Sequence, residues 1–190
     1  EQIENRGVKD PEVLKAMREV ERHRFVPDQW RSRAYADSPL PIGEGQTISQ
    51  PYIVALMTDA LDLEGDEKVL EVGTGSGYQA AVLAQICREV YTVEINKTLG
   101  KRAEKLLSAL GYSNVHVKIG DGYKGWKEFS PFDGIMVTCA PERIPEPLKE
   151  QLAEGGKLVI PVGEGSLQKL MVLTKKDDKL IKRSIVPVRF

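Results

Sequence analysis

The stretch Val69-Leu70-Glu71-Val72-Gly73-Thr74-Gly75-Ser76-Gly77 constrains this chain more than any other. A short apolar run of strand character leads straight into three alternating glycines, and Tyr78-Gln79-Ala80-Ala81-Val82-Leu83 then continues with helical character. Glycine is needed where the backbone turns with positive φ, and where no Cβ can stand between chain and ligand. A strand, a glycine turn and a helix in that order imply parallel strands joined by helical crossovers.

The segments after Gly65 repeat that alternation. Strands are expected at Lys68–Val72, Glu89–Glu94, Val115–Ile119 and Phe132–Thr138. Helices are expected from about Gly77 to Cys87, from about Lys97 to Leu110 and near Pro145–Leu152. Strands at Lys157–Val162, Lys169–Thr174 and Leu180–Val188 finish the chain, the last two joined by the charged turn Lys175–Lys179. That turn makes a hairpin, so the carboxyl-terminal edge is expected to be partly antiparallel. The reading is an α/β, Rossmann-like fold: a mostly parallel sheet with helices on both faces. Residues 65–190 form its core. Residues 1–64 form an N-terminal helical and loop layer packed on it, within one compact domain.

In that layer a helix is expected from about Pro11 to Glu21, capped by Asp10, with Val13, Met17 and Val20 on one face. A second follows Ser49, with Pro51 in its first turn. Between them lies a proline-rich irregular stretch too apolar for disorder, and a long loop in a compact domain points to function.

The composition excludes several classes. The chain has 190 residues, 41% hydrophobic and 29% charged, with a formal net charge of −1. No global field favours nucleic acid or a membrane surface, and neither is expected as a partner. Cys87 and Cys139 have no ligand spacing, so no metal site and no disulfide framework are expected. The start, Glu1-Gln2-Ile3-Glu4-Asn5, lacks the apolar core of a signal peptide, and no stretch has the length of a membrane span. A cytoplasmic, monomeric protein is the expectation.

Glu94 ends the strand after the glycine loop, where a carboxylate can accept both hydroxyls of a ribose. A dinucleotide would favour G-x-G-x-x-G; here the spacing is G-x-G-x-G, with Tyr78 next. That spacing resembles the loop of S-adenosylmethionine-dependent methyltransferases. Asp121 and Gly122 follow the third strand, where an acid can accept from an adenine amino group.

The stretch Ala34-Tyr35-Ala36-Asp37-Ser38-Pro39-Leu40-Pro41-Ile42-Gly43-Glu44-Gly45-Gln46-Thr47-Ile48-Ser49-Gln50-Pro51 narrows the substrate. With Arg24-Phe25-Val26-Pro27, the glycine loop, Gly120-Asp121-Gly122 and Gly155-Gly156-Lys157-Leu158-Val159, it strongly resembles the protein-L-isoaspartate O-methyltransferase family. The resemblance implies methyl transfer from S-adenosylmethionine to the free α-carboxylate of isoaspartyl residues in damaged proteins, leaving S-adenosylhomocysteine. The ester then collapses to a succinimide, which hydrolyses partly to aspartate. By the resemblance, Ser49 is the active-site residue, and Ile42, Gly43, Glu44 and Gly45 lie over the cofactor. With Gly73, Gly75, Gly77, Glu94, Asp121 and Gly122 they make up the expected cofactor site.

The resemblance extends past the last Val-Pro strand, to polar residues near the cofactor that a sequence ending at Phe190 does not include. Two alternatives stay open: a methyltransferase of the same fold acting on another group, and a non-catalytic binding module. Ser49 also has two readings, as a hydroxyl donor to the substrate carboxylate or as a helix N-cap ahead of Pro51. Asp37 is expected to fix its loop or bind main-chain amides rather than touch substrate. His23 and His116 are isolated from each other and from any acidic or cysteine cluster, so neither is expected to have a metal or acid–base role. Cys87 and Cys139 are expected to be small buried hydrophobes, and Trp30 and Trp126 to pack.

Overall fold

The computed structural model describes residues 2–163 and 168–190, so Glu1 of the polar start lies outside the described residues. Seven strands form one sheet in the order β5-β4-β3-β6-β7-β8-β9. They are β3 (Lys68–Val72), β4 (Glu89–Glu94), β5 (Val115–Ile119), β6 (Phe132–Val137), β7 (Leu152–Val162), β8 (Gln168–Lys176) and β9 (Lys179–Val188). The pairs β3–β4, β4–β5, β3–β6 and β6–β7 are parallel, while β7–β8 and β8–β9 are antiparallel. The expected mixed edge is therefore present. Asp177 and Asp178 turn its final hairpin with φ of 51° and 55°, as a two-residue primed turn requires.

Among the described residues, five α-helices surround the sheet: α1 (Pro11–Glu19), α2 (Pro51–Leu61), α3 (Tyr78–Ala84), α4 (Lys97–Ala109) and α5 (Glu146–Glu150). Asp10 caps α1 as expected, accepting from the amides of Glu12 and Val13. Coverage of the two faces is uneven. Buried residues of α1 to α4 pack with Val69, Val90, Met136 and Val159 on one face. Leu70, Val93, Ile135 and Leu158 on the other meet Leu148 of α5 and the aromatic segment around Trp126.

The irregular stretch before α2 is more ordered than its prolines suggest. Leu40–Gly43 (β1) and Gln46–Ile48 (β2) form a separate antiparallel hairpin. Leu40, Ile42 and Ile48 are buried beneath it while Pro41 faces out, the edge position that proline tolerates.

The chain leaves β3 toward β4 and β5 on one side, then returns past β3 to build β6 on the other. The sheet order thus reverses between β3 and β6, and in such sheets a ligand crevice opens beyond the carboxyl ends of those strands.

Candidate active site

Two adjoining cavities occupy that crevice. The larger, about 660 Å³, is lined by Gly73, Gly75, Glu94, Asp121 and Gly122, together with Gln46, Thr47, Ile95, Asn96, Tyr123, Thr138 and Cys139 among others. The smaller, about 50 Å³, is lined by Ser49 with Thr74, Ser76, Tyr78, Val54 and Met57 among others. Thr47, Gly73 and Thr138 line both, so they form the partition between the two spaces.

Glu94 organises the larger cavity. Its carboxylate is 6% exposed and accepts from the amide of Gly75 through Oε2 and from that of Asn96 through Oε1, each at 2.8 Å. One acid therefore draws the glycine loop and the start of α4 together. Each oxygen retains a second lone pair for a ligand hydroxyl. Gly73 and Gly75 hold φ of 102° and 54°. A Cβ on Gly73 would overlap Oγ1 of Thr138, which donates to the carbonyls of Val72 and Gly73. The close approach of two chain segments, as well as the turn, excludes a side chain there.

Asp121 lies beyond β5 and accepts from the amide of Tyr123 through Oδ1 at 3.0 Å. Ile95, 77% exposed, offers an apolar surface beside Glu94. Gly77 begins α3 beside Leu107 and Ala103 of α4. Ile42 buries its side chain against Gly75 and gives its carbonyl to Arg102, so Gln46 and Thr47 are the hairpin residues at the cavity wall. They follow the residues singled out by resemblance.

Ser49 does not cap α2. The residue before Pro51 is Gln50, and α2 has no side-chain cap from its own N-terminal flank. Instead Asp37 Oδ1 accepts from the amide of Tyr52 at 2.9 Å, and its other oxygen pairs with Arg6 at 2.7 Å. The capping reading of Ser49 thereby passes to an acid brought in from elsewhere in the chain. Among the described residues, Ser49 makes no hydrogen bond, and it lines the smaller cavity.

Glu71 is completely buried behind the loop. Thr92 Oγ1 donates to its Oε2 at 2.5 Å, Thr74 and Thr92 share a hydrogen bond at 2.6 Å, and among the described residues Oε1 has no partner. Burial pushes the carboxyl up to about 8, against the opposing donation from Thr92 and with help from the charge of Glu94.

His116 meets a single acid, its Nε2 lying 2.5 Å from Glu89, and its ring stacks on Tyr91. Cys139, expected to be a buried hydrophobe, is only partly buried: it packs against the core and also borders the larger cavity. Trp30 packs as expected, and among the described residues its Nε1 has no hydrogen-bond partner. Cys87 is the buried thiol expected, pushed up to about 12 by desolvation.

The donor set fits an adenosyl cofactor carrying a cationic methionine end. It combines a ribose-type acceptor, an acid beyond β5, an apolar wall and a glycine loop that brings bare backbone to the edge of the cavity. The model of the protein-L-isoaspartate(D-aspartate) O-methyltransferase family matches residues 1–190. A protein-L-isoaspartate O-methyltransferase of a Picosynechococcus species is 58% identical over 190 residues, which are 100% of this chain and 85% of the relative. A solved protein-L-isoaspartate O-methyltransferase superposes with a TM-score of 0.90 at 33% identity, over 98% of this chain and 62% of that one. A Plasmodium falciparum structure described as a β-aspartate methyltransferase in complex with S-adenosyl-L-homocysteine gives 0.85 at 29% identity, over 100% and 93%.

Proposed function

The chain belongs to the protein-L-isoaspartate(D-aspartate) O-methyltransferase family, and from that premise we propose how its two cavities divide the work. The protein methylates the free α-carboxylate of L-isoaspartyl residues in damaged proteins, using S-adenosylmethionine, and so starts their repair through a succinimide. Gly73, Gly75, Gly77, Glu94, Asp121 and Gly122 hold the cofactor, whose sulfonium supplies an activated methyl group. The hairpin from Ile42 to Gly45 backs that site, and Gln46 and Thr47 provide its inner surface. Ser49 is the catalytic residue: its hydroxyl donates to the isoaspartyl carboxylate and turns one oxygen toward the partition.

The observation that carries this reading is the shared wall of Thr47, Gly73 and Thr138, which sets the Ser49 cavity directly beside the Glu94 cavity. A carboxylate is already ionised at neutral pH, with an unperturbed pKa of about 4, so no general base is needed. What the chain supplies is position. Ile48, Val54, Met57 and Tyr78 give the cavity beside Ser49 apolar walls, while Thr47, Thr74, Ser76, Gln79 and Thr138 add polar groups that can orient a carboxylate.

The protein acts as a cytoplasmic monomer on peptides rather than on nucleic acid. The net charge of −1 supports this. Among the described residues, no helix is long and apolar enough to cross a membrane.

The test compares methyl incorporation into a peptide with one isoaspartate against the same peptide with aspartate. Labelling confined to the isoaspartyl peptide is expected, and equal labelling of both removes the assignment. Ser49→Ala should lower kcat about 10- to 100-fold, the worth of one hydrogen bond to a charged group. Ser49→Asp should fail outright, because it adds a repelling charge and only accepts. A normal rate in Ser49→Asp would overturn the donor role.

A further inference from the structure

The tip of the β1–β2 hairpin consists of three successive residues with positive φ: Gly43 at 91°, Glu44 at 53° and Gly45 at 68°. Leu40, Ile42 and Ile48 bury the base of the hairpin, but the tip itself contributes no side chain to the core. It is held from outside by α4. Arg102 donates through Nη2 to the carbonyl of Ile42, with its guanidinium beside Gly43. Asn96, which caps α4, donates its side-chain amide to Glu44 at 3.5 Å.

Both attachments come from the helix that follows the ribose-type acid. The amide of Asn96 is itself bound to Glu94 Oε1. The hairpin on one side of the larger cavity and the Glu94 wall on the other are thus fastened through a single element. Among the described residues, Arg102 has no carboxylate partner within ion-pair distance, and its guanidinium is spent on a main-chain carbonyl of the hairpin. An arginine on the exposed side of a helix usually contributes little to stability. Its use here is to fix where Gln46 and Thr47 stand.

We propose that Arg102 is a positioning residue for cofactor retention: it latches the hairpin to α4, keeps Gln46 and Thr47 against the occupied cavity, and slows release of cofactor and product. The inference rests on reading that cavity as the S-adenosylmethionine site. It concerns the exit of the ligand, not the chemical step.

The experiment measures the dissociation rate of S-adenosylhomocysteine by stopped-flow displacement from the wild-type chain, Arg102→Met and Arg102→Lys. It also measures KM for S-adenosylmethionine and for an isoaspartyl peptide. Methionine keeps the stem and removes the donor, so release should quicken about tenfold and KM for S-adenosylmethionine should rise in step. Peptide KM at saturating cofactor and the urea unfolding midpoint should stay put, and lysine, which retains a donor, should restore part of the loss. Dissociation from Arg102→Met within twofold of wild type overturns the latch. So does a change shared equally by peptide KM and the unfolding midpoint, which would mark a merely structural residue. Failure of the underlying reading looks different: Glu94→Gln would leave S-adenosylhomocysteine affinity unchanged, and the latch would fall with it.

Discussion

At the scale of single residues, Glu71 behaves least as its residue type suggests. A fully buried carboxyl with one oxygen unpartnered costs least as the neutral acid. With a folded pKa near 8 and an ordinary value of about 4.3 when unfolded, the native state retains a proton that the unfolded chain releases. The contribution is therefore fully present below about pH 4 and is lost as pH rises through 8. Glu71→Gln mimics the neutral acid without titrating. Urea unfolding at pH 6 and pH 8 should show wild type losing about 2 kcal/mol more than Glu71→Gln over that interval. Parallel losses in the two proteins would mean that the carboxyl is ionised in the fold. Glu94 lies nearby with the opposite design, its two oxygens committed to main-chain amides. Neighbouring acids on adjacent strands are thus set to different tasks by burial and hydrogen bonding alone.

At the scale of elements, α2 depends on a residue it does not contain. Its first turn presents free amides, Pro51 supplies none, and Asp37 arrives from the preceding loop to accept from Tyr52. The same carboxylate binds Arg6, so a loop, a helix start and the N-terminal turn converge on one side chain. Asp37→Ala should destabilise the protein by about 1 kcal/mol for the lost cap. It should also reduce kcat, because Ser49 lies just ahead of the helix that Asp37 fixes. Asp37→Asn should preserve most of both, as asparagine caps well. Thermal unfolding and peptide methylation check the pair, and an Asp37→Ala protein with native stability would remove the cap.

At the scale of the molecule, a single apolar cluster runs from Ala16 and Val20 of the N-terminal layer through Val69, Leu83 and Met136 to Leu170 and Val188. The layer and the sheet share one interior, so unfolding should be a single cooperative transition. The larger cavity draws on the hairpin, the glycine loop and the ends of β4, β5 and β6. A ligand there bridges both parts of the chain. Adding S-adenosylhomocysteine at about 100 times its Kd should add about 2.7 kcal/mol, or about 5–10 °C in Tm for a chain of this size. Calorimetric scans with and without ligand read both expectations. Two resolved transitions, or no ligand shift, would contradict them.

The sequence by itself determined the parallel sheet, its antiparallel edge, the glycine loop and the acid at the end of β4. Each is a local pattern: apolar runs of strand length, alternate glycines, a carboxylate at a strand terminus. The same local pattern places Asp121 beyond the third strand, whereas only the family resemblance singles out Ser49. Only the tertiary structure decided which residues meet. Asp37 caps a helix that begins at Pro51, Thr138 closes over Gly73 from a different strand, and Arg102 reaches the hairpin from α4. The hairpin itself was hidden because prolines and glycines weaken strand patterns, and its pairing is stabilised by burying Leu40, Ile42 and Ile48 against the core. Contacts between residues far apart in the chain carry no periodic signature. They follow from how the sheet and helices pack, and that is where the cavity walls, the cap and the latch were set.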